Sequence, residues 1–186
     1  MKVISPPILA FGLAIILFSC AAEDMETPHE ELKAANFEVY ENQDLVGKWE
    51  LVSMHTDVAI DLNGDNTSNT DVSIETNCFD EMFYEFKADG TVSTSQAKLH
   101  FNTNGITSCE REAFSSTYAI ENDVLSVRFE DKNGITVNPG KQIKLTDNKQ
   151  QLHITLARVE ASQYIKSDSG NSTQVINEIT TIYKKI

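Results

Sequence analysis

The strongest constraint on what this chain can fold into is an alternation with a period of two. Leu152, Ile154 and Leu156 alternate with Gln151, His153 and Thr155, and Leu125, Val127 and Phe129 alternate with Ser126 and Arg128. That period puts one set of side chains on each face of a strand, with one face buried and one wet. Comparable stretches cover residues 45–54, 81–87, 91–98, 114–120, 124–130, 142–146, 151–159 and 174–184. Ala88-Asp89-Gly90, Glu121-Asn122-Asp123 and Asp147-Asn148-Lys149 are short enough to join neighbouring strands as hairpins, and Asn133-Gly134 and Asn138-Pro139-Gly140 mark further turns. Strands adjacent in sequence are then adjacent in the sheet, and pairing the last with the first leaves no open edge. The predicted fold is all-β: an eight-stranded up-and-down antiparallel β-barrel over residues 45–186. No helical period appears within it, and the polar stretch 166–173 reads as a loop. A chain of 186 residues with 40% hydrophobic content supports one core of this kind.

The first strand carries the sharpest fold motif, Gly47-x-Trp49. Trp49 is the only tryptophan. Glycine lets the backbone enter the sheet tightly, and an inward Trp49 plugs the tapered end of a small barrel. Gly47, Trp49, Leu51 and Ser53 share one face, and Val46, Lys48, Glu50 and Val52 the other.

Residues 1–19 read as a signal peptide. Lys2 supplies the charge, and the apolar run from Ile8 to Phe18 is eleven residues, too short to span a bilayer as a helix. It ends in Leu17-Phe18-Ser19-Cys20, which resembles a bacterial lipobox and implies a diacylated Cys20 at the mature N-terminus; Phe18 departs from the usual small residue there. An ordinary signal peptide with a stray cysteine is the competing reading. Several acyl chains, such as palmitate, suffice for stable anchoring where one is marginal. Ala21 after the cysteine resembles outer-membrane sorting, and Glu23-Asp24 resembles the acidic export signal of surface lipoproteins in Bacteroidota-type bacteria. The periplasmic and cell-surface faces both stay open. Residues 20–44 form an acidic tether in which Thr27-Pro28-His29-Glu30 starts a short helix to about Ala35.

With Cys20 lipidated, Cys78 and Cys109 remain as a pair in an oxidising compartment. A bridge between them closes about 31 residues, which the chain-entropy model values at roughly 3–4 kcal/mol. Two free thiols are the alternative. In a meander both cysteines fall at one barrel end, together with the loop after the first strand. The bridge would staple the two longest loops at the mouth.

Taken together, Gly47-x-Trp49, the hairpin-linked strands, the Cys78/Cys109 pair and the Asp89-Gly90-Thr91 turn resemble the lipocalin-like domain of bacterial (Bacteroidota-type) outer-membrane lipoproteins, over residues 45–186. The resemblance implies a non-enzymatic barrel that binds a small apolar or amphipathic molecule. The threonine-aspartate-tyrosine motif of many animal lipocalins is missing, which weakens any transfer of their carrier role.

One loop has metal-ligand spacing. Asp61, Asn63 and Asp65 take positions 1, 3 and 5 of a Ca²⁺ loop, Thr67 supplies a carbonyl at 7, Asn69 a side chain at 9, and Asp71 the closing acid. Asn66 replaces the turning glycine, and Asp71 comes one position early, with Val72 where a bidentate Glu belongs. The same residues also suit a polar loop held by its own side-chain hydrogen bonds. Ca²⁺ is the only cofactor the sequence suggests.

The formal net charge is −13 with no basic cluster, which excludes a phosphate-tracking nucleic-acid role. His29, His55, His100 and His153 are scattered without zinc-ligand spacing. No nucleophile elbow, phosphate loop or dinucleotide fingerprint occurs, and nothing points to an enzyme. Two functions remain: a monomeric, membrane-anchored barrel that binds a small ligand, or a surface module whose loops contact a protein or glycan. Eight strands enclose an interior just wide enough either to fill with side chains or to hold one small molecule.

Overall fold

The computed structural model describes residues 39–102, 105–131, 134–137, 140–167 and 176–186. The signal peptide, Cys20 and the helix expected after Thr27 lie outside them. A one-turn helix, α1 (Asn42–Leu45), leads into β1 (Gly47–Ile60), β2 (Asn69–Asp71), β3 (Phe83–Phe86), β4 (Thr91–Asn102), β5 (Gly105–Glu121), β6 (Val124–Asp131), β7 (Gly134–Val137), β8 (Lys141–Thr146) and β9 (Gln151–Ala157). A second helix, α2 (Arg158–Tyr164), then precedes β10 (Ile165–Ser167) and β11 (Glu178–Lys185).

Eight of these strands close the barrel in the order β1, β3, β4, β5, β6, β8, β9, β11, each antiparallel to the next. β11 returns to β1 from Trp49↔Lys185 to Thr56↔Ile179. These are the eight strands expected from the alternation. β2 and β7 are short additions to β1 and β6, and β10 runs parallel to β4 through Ile165↔Leu99. The hairpin turns form where they were read, with positive φ at Asn122 and Asp123 and at Asp147, Asn148 and Lys149.

The end where β1 begins is closed. Trp49 is fully buried, its Nε1–H donates to the Leu45 carbonyl at 2.6 Å, and Lys185 Nζ stands 5.0 Å over its ring. Gly47 has φ +130°, and a Cβ there would lie 2.8 Å from Lys185 Cε. The positive φ calls for glycine, while the end of the Lys185 side chain can move aside. The packed barrel starts before residue 45: Tyr40 is buried and donates to the Leu145 carbonyl, and Asn42 Oδ1 accepts the Ile120 N–H. Above this plug the interior is filled by aromatic rings. Tyr84 stacks on Phe86 (5.5 Å), meets Tyr183 edge-on (5.2 Å), and Phe86 meets Tyr118 edge-on (4.8 Å).

Three details correct the sequence reading. A β-bulge between Leu51 and Ser53 shifts the register of β1, so Met54 and Thr56, not Ser53, continue the buried face after Leu51. β4 and β5 run on as a long hairpin to Asn102↔Gly105, where loop had been expected beyond residue 98. Finally, β9 ends at Ala157 and the chain turns into α2. Ala161 is fully buried, and packing of this small residue against the barrel compensates for the helix's lack of length.

Candidate ligand-binding site

At the open end the barrel wall divides. β6 pairs with β5 only from Glu121↔Val124 to Thr117↔Arg128 and then pairs with β7. Among the described residues only β4 pairs with β5 from Gly105 to Ser116. α2 lies across this region, leaving a cleft of about 380 Å³ that is lined by β3, β4, β5, β6, β8 and α2. Phe114, Val127 and Val159 give it apolar walls, and Tyr84, Gln96, Lys141 and Tyr164 its polar base. Val159 is 75% exposed at the lip.

Lys141 is the unusual member. As the first residue of β8 it opposes Leu125 of β6, and Ile143 and Leu145 follow it on the buried face. Its approach depends on Gly140, where a Cβ would fall 2.0 Å from Val124 Cγ1. Lys141 is only 8% exposed. Its ammonium donates to Tyr164 Oη at 3.2 Å and sits 5.5 Å from that ring's centroid. Among the described residues, no carboxylate lies within ion-pair distance of it. Burial pushes the ammonium toward its neutral form, but the oxygens of Tyr84 and Tyr164 and the Glu160 carboxylate act the other way, and the net shift is up. The ammonium stands buried against the hydroxyl and ring of Tyr164. Burial pushes the Tyr84 phenol up as well, so it stays neutral beside the lysine.

The polar groups beneath form one directed chain. Tyr164 Oη–H donates to Gln96 Oε1 (3.0 Å), Gln96 Nε2–H donates to Thr94 Oγ1, and Thr94 donates to the Phe83 carbonyl (2.7 Å). At the rim, Lys98 and Glu112 face each other at 3.7 Å.

The residues singled out for metal binding are split. Asp61 Oδ1 and Oδ2 accept the N–H groups of Gly64 (2.7 Å) and Asn66 (2.9 Å). Asn63 Oδ1 accepts Asp65 N–H, and Asp65 Oδ1 accepts Thr67 N–H. Asn66 has φ +67°. Asn69, by contrast, donates to Glu75, and Asp71 is bound to Ser53, Ser73 and the Met54 N–H on the barrel wall. The six residues therefore have different hydrogen-bond partners. Asp61, Asn63, Asp65 and Thr67 share one turn whose acceptors serve its own backbone, and among the described residues no group of three or more His, Cys, Asp or Glu is placed to hold a metal ion.

Cys78 and Cys109 are joined, with Cα atoms 5.7 Å apart. The bridge ties the 61–82 connection to strand β5 rather than loop to loop, because the β4–β5 hairpin extends past Cys109. Arg111 reinforces it, donating to the carbonyls of Cys78 and Asn77 and pairing with Glu81.

The fold also brings together Ser53, His55 and Asp71 on the outer wall. Ser53 Oγ–H donates to Asp71 Oδ2 at 2.9 Å, so His55 Nε2, 2.7 Å from Ser53 Oγ, is the donor in that contact. The acid grips the serine instead of orienting the imidazole, so the histidine is not a base for Ser53.

Sequence reasoning missed Lys141, Gln96 and Tyr164. Lys141 had a signal, since it continues the buried parity of Ile143 and Leu145, but the strand had been started one residue too late.

This geometry is that of a small closed barrel with a cleft at one end. The lipocalin-like domain model matches residues 45–152, and the chain belongs to that family. Among solved structures, the crystal structure of a lipocalin-like protein from Bacteroides uniformis ATCC 8492 is similar, at 18% identity over 77% of this chain and 99% of that one, with a TM-score of 0.33. No curated protein matches. The matched span includes the strand residues that line the cleft, from Tyr84 to Lys141, and stops before the four that α2 contributes.

Proposed function

We propose that this chain is a non-enzymatic, lipid-anchored monomer that holds a small amphipathic molecule in the α2 cleft. The observation that carries this reading is the cleft itself. About 380 Å³ bounded by an apolar wall and a few convergent polar groups falls within the range of small-molecule sites. The aromatic rings packed below, of which Tyr84 forms part of the cleft base, support a binding volume under α2. Native mass spectrometry of protein purified without detergent tests it. The expected result is a reproducible extra mass of a few hundred daltons that is lost on denaturation; polypeptide that stays bare, even after incubation with alkyl amphiphiles, overturns it.

Anchoring follows from the Leu17-Phe18-Ser19-Cys20 stretch, with Cys20 carrying acyl chains at the outer membrane. No helix of the described residues is long and apolar enough to cross a membrane. In cells fed an alkyne analogue of palmitate, the wild-type protein should take up label and sediment with membranes. Cys20→Ala should lose both properties, and retention of label would refute the anchor.

A further inference from the structure

We propose that the α2 cleft recognises a single carboxylate through the Lys141 ammonium, so that its ligand is an alkyl carboxylate with its tail toward Phe114 and Val159. This rests on the reading of the cleft as a ligand site and adds the chemistry of the headgroup.

The argument begins with donor accounting. An ammonium has three N–H donors. At Lys141 one goes to Tyr164 Oη, and no described residue accepts the other two. Burying a charge is costly unless it is paired and hydrogen-bonded, and here the partner is Tyr164, through its hydroxyl and its ring face. The cleft is where an anionic partner fits, because Lys141 lines it.

The directed chain beneath then sets the stoichiometry. Tyr164 spends its proton on Gln96, Gln96 spends one on Thr94, and Thr94 spends its own on the Phe83 carbonyl. The hydroxyl protons of Tyr164 and Thr94 and one amide proton of Gln96 are spent within this chain, and Lys141 is the positive donor at the cleft base. Tyr164, held in this way, also fixes where the ammonium stands.

The walls narrow the class further. Glu160 and Glu112 line the cleft, and Lys98 already offsets Glu112. One ammonium flanked by carboxylates suits one negative charge and disfavours a dianion such as a phosphate monoester. Phe114, Val127 and Val159 offer no hydrogen-bonding group, so the part of the ligand leading out toward the lip is hydrocarbon.

The test is calorimetric titration of the purified protein at neutral pH with decanoate, decanol and decyltrimethylammonium, which share a tail and differ in headgroup. Decanoate should bind about tenfold or more tighter than decanol, the discrimination expected of a charged hydrogen bond in a buried site. Decyltrimethylammonium should bind more weakly than either. In Lys141→Met, decanoate and decanol should become equivalent while decanol affinity is retained. Equal affinities for decanoate and decanol in the wild type overturn the headgroup assignment and leave the cleft reading intact. Discrimination that survives Lys141→Met also overturns it. Absence of binding by all three probes instead refutes the cleft as an amphiphile site, and the headgroup assignment with it.

Discussion

Single residues hold this structure at a few points of unusual backbone or charge. Gly47 has φ +130°, which L side chains rarely adopt, so Gly47→Ala should lower stability by about 1–3 kcal/mol, read from urea unfolding. Asp71 gives a pH dependence. Burial pushes its carboxyl up, but hydrogen bonds from Ser73, Ser53 and the Met54 N–H prevail and hold it below the usual carboxylate range. Hydrogen bonds also depress Asp44, to Lys149, and Asp57, to Asn177. A carboxyl depressed in the folded state contributes fully above the unfolded value of about 3.9 and loses that contribution as pH falls through the folded value. The thermal midpoint should hardly respond to these groups between neutral pH and about pH 5, then fall below about pH 4. Asp71→Asn should flatten that acid limb. Asp61 serves as a cap for its own turn, so Asp61→Ala should cost about 1 kcal/mol. EDTA should leave the wild-type midpoint unchanged; a fall to the variant's value would show that calcium holds the turn.

The elements divide into those that local chemistry predicts and those it does not. The strands and hairpin turns were legible because alternation and Asx-rich turns are local signals, as at Leu152–Leu156 and Asn122-Asp123. α2 was not legible. Its seven residues bury one alanine, and Ala161 gives no periodic signal over so short a span. The bulge after Leu51 was hidden for a related reason, since a two-residue period carries no mark of where one residue is left over. The 61–82 connection is long, and its tie to β5 is the bridge at Cys78. Cys78→Ser with Cys109→Ser should therefore reduce unfolding free energy by about 3 kcal/mol without changing far-ultraviolet strand content. A change below about 0.5 kcal/mol would mean that Arg111 and the loop's apolar residues hold it alone.

Over the whole molecule the two barrel ends have different jobs. The end that contains Trp49, α1 and the aromatic stack is packed, and the end that contains α2 and the β4–β5 hairpin is divided. Trp49 does not line the cleft, so saturating the protein with decanoate should leave tryptophan emission unchanged in wavelength, while thermal unfolding shifts it to the red. A blue or red shift on binding would place the ligand along the barrel axis. The sequence by itself determined the barrel: a period of two, hairpin-length turns and a lone tryptophan after glycine are each local, and together they admit little else. It also offered Cys78 and Cys109 as a pair, with free thiols as the alternative, and the structure joins them. Only the tertiary structure assembled the cleft. Lys141, Gln96 and Tyr164 are far apart in sequence, and their meeting depends on how far β6 diverges from β5 and on where α2 lands. It also gave Asn69 and Asp71 partners on Glu75, Ser53 and Ser73, while Asp61 caps its own turn.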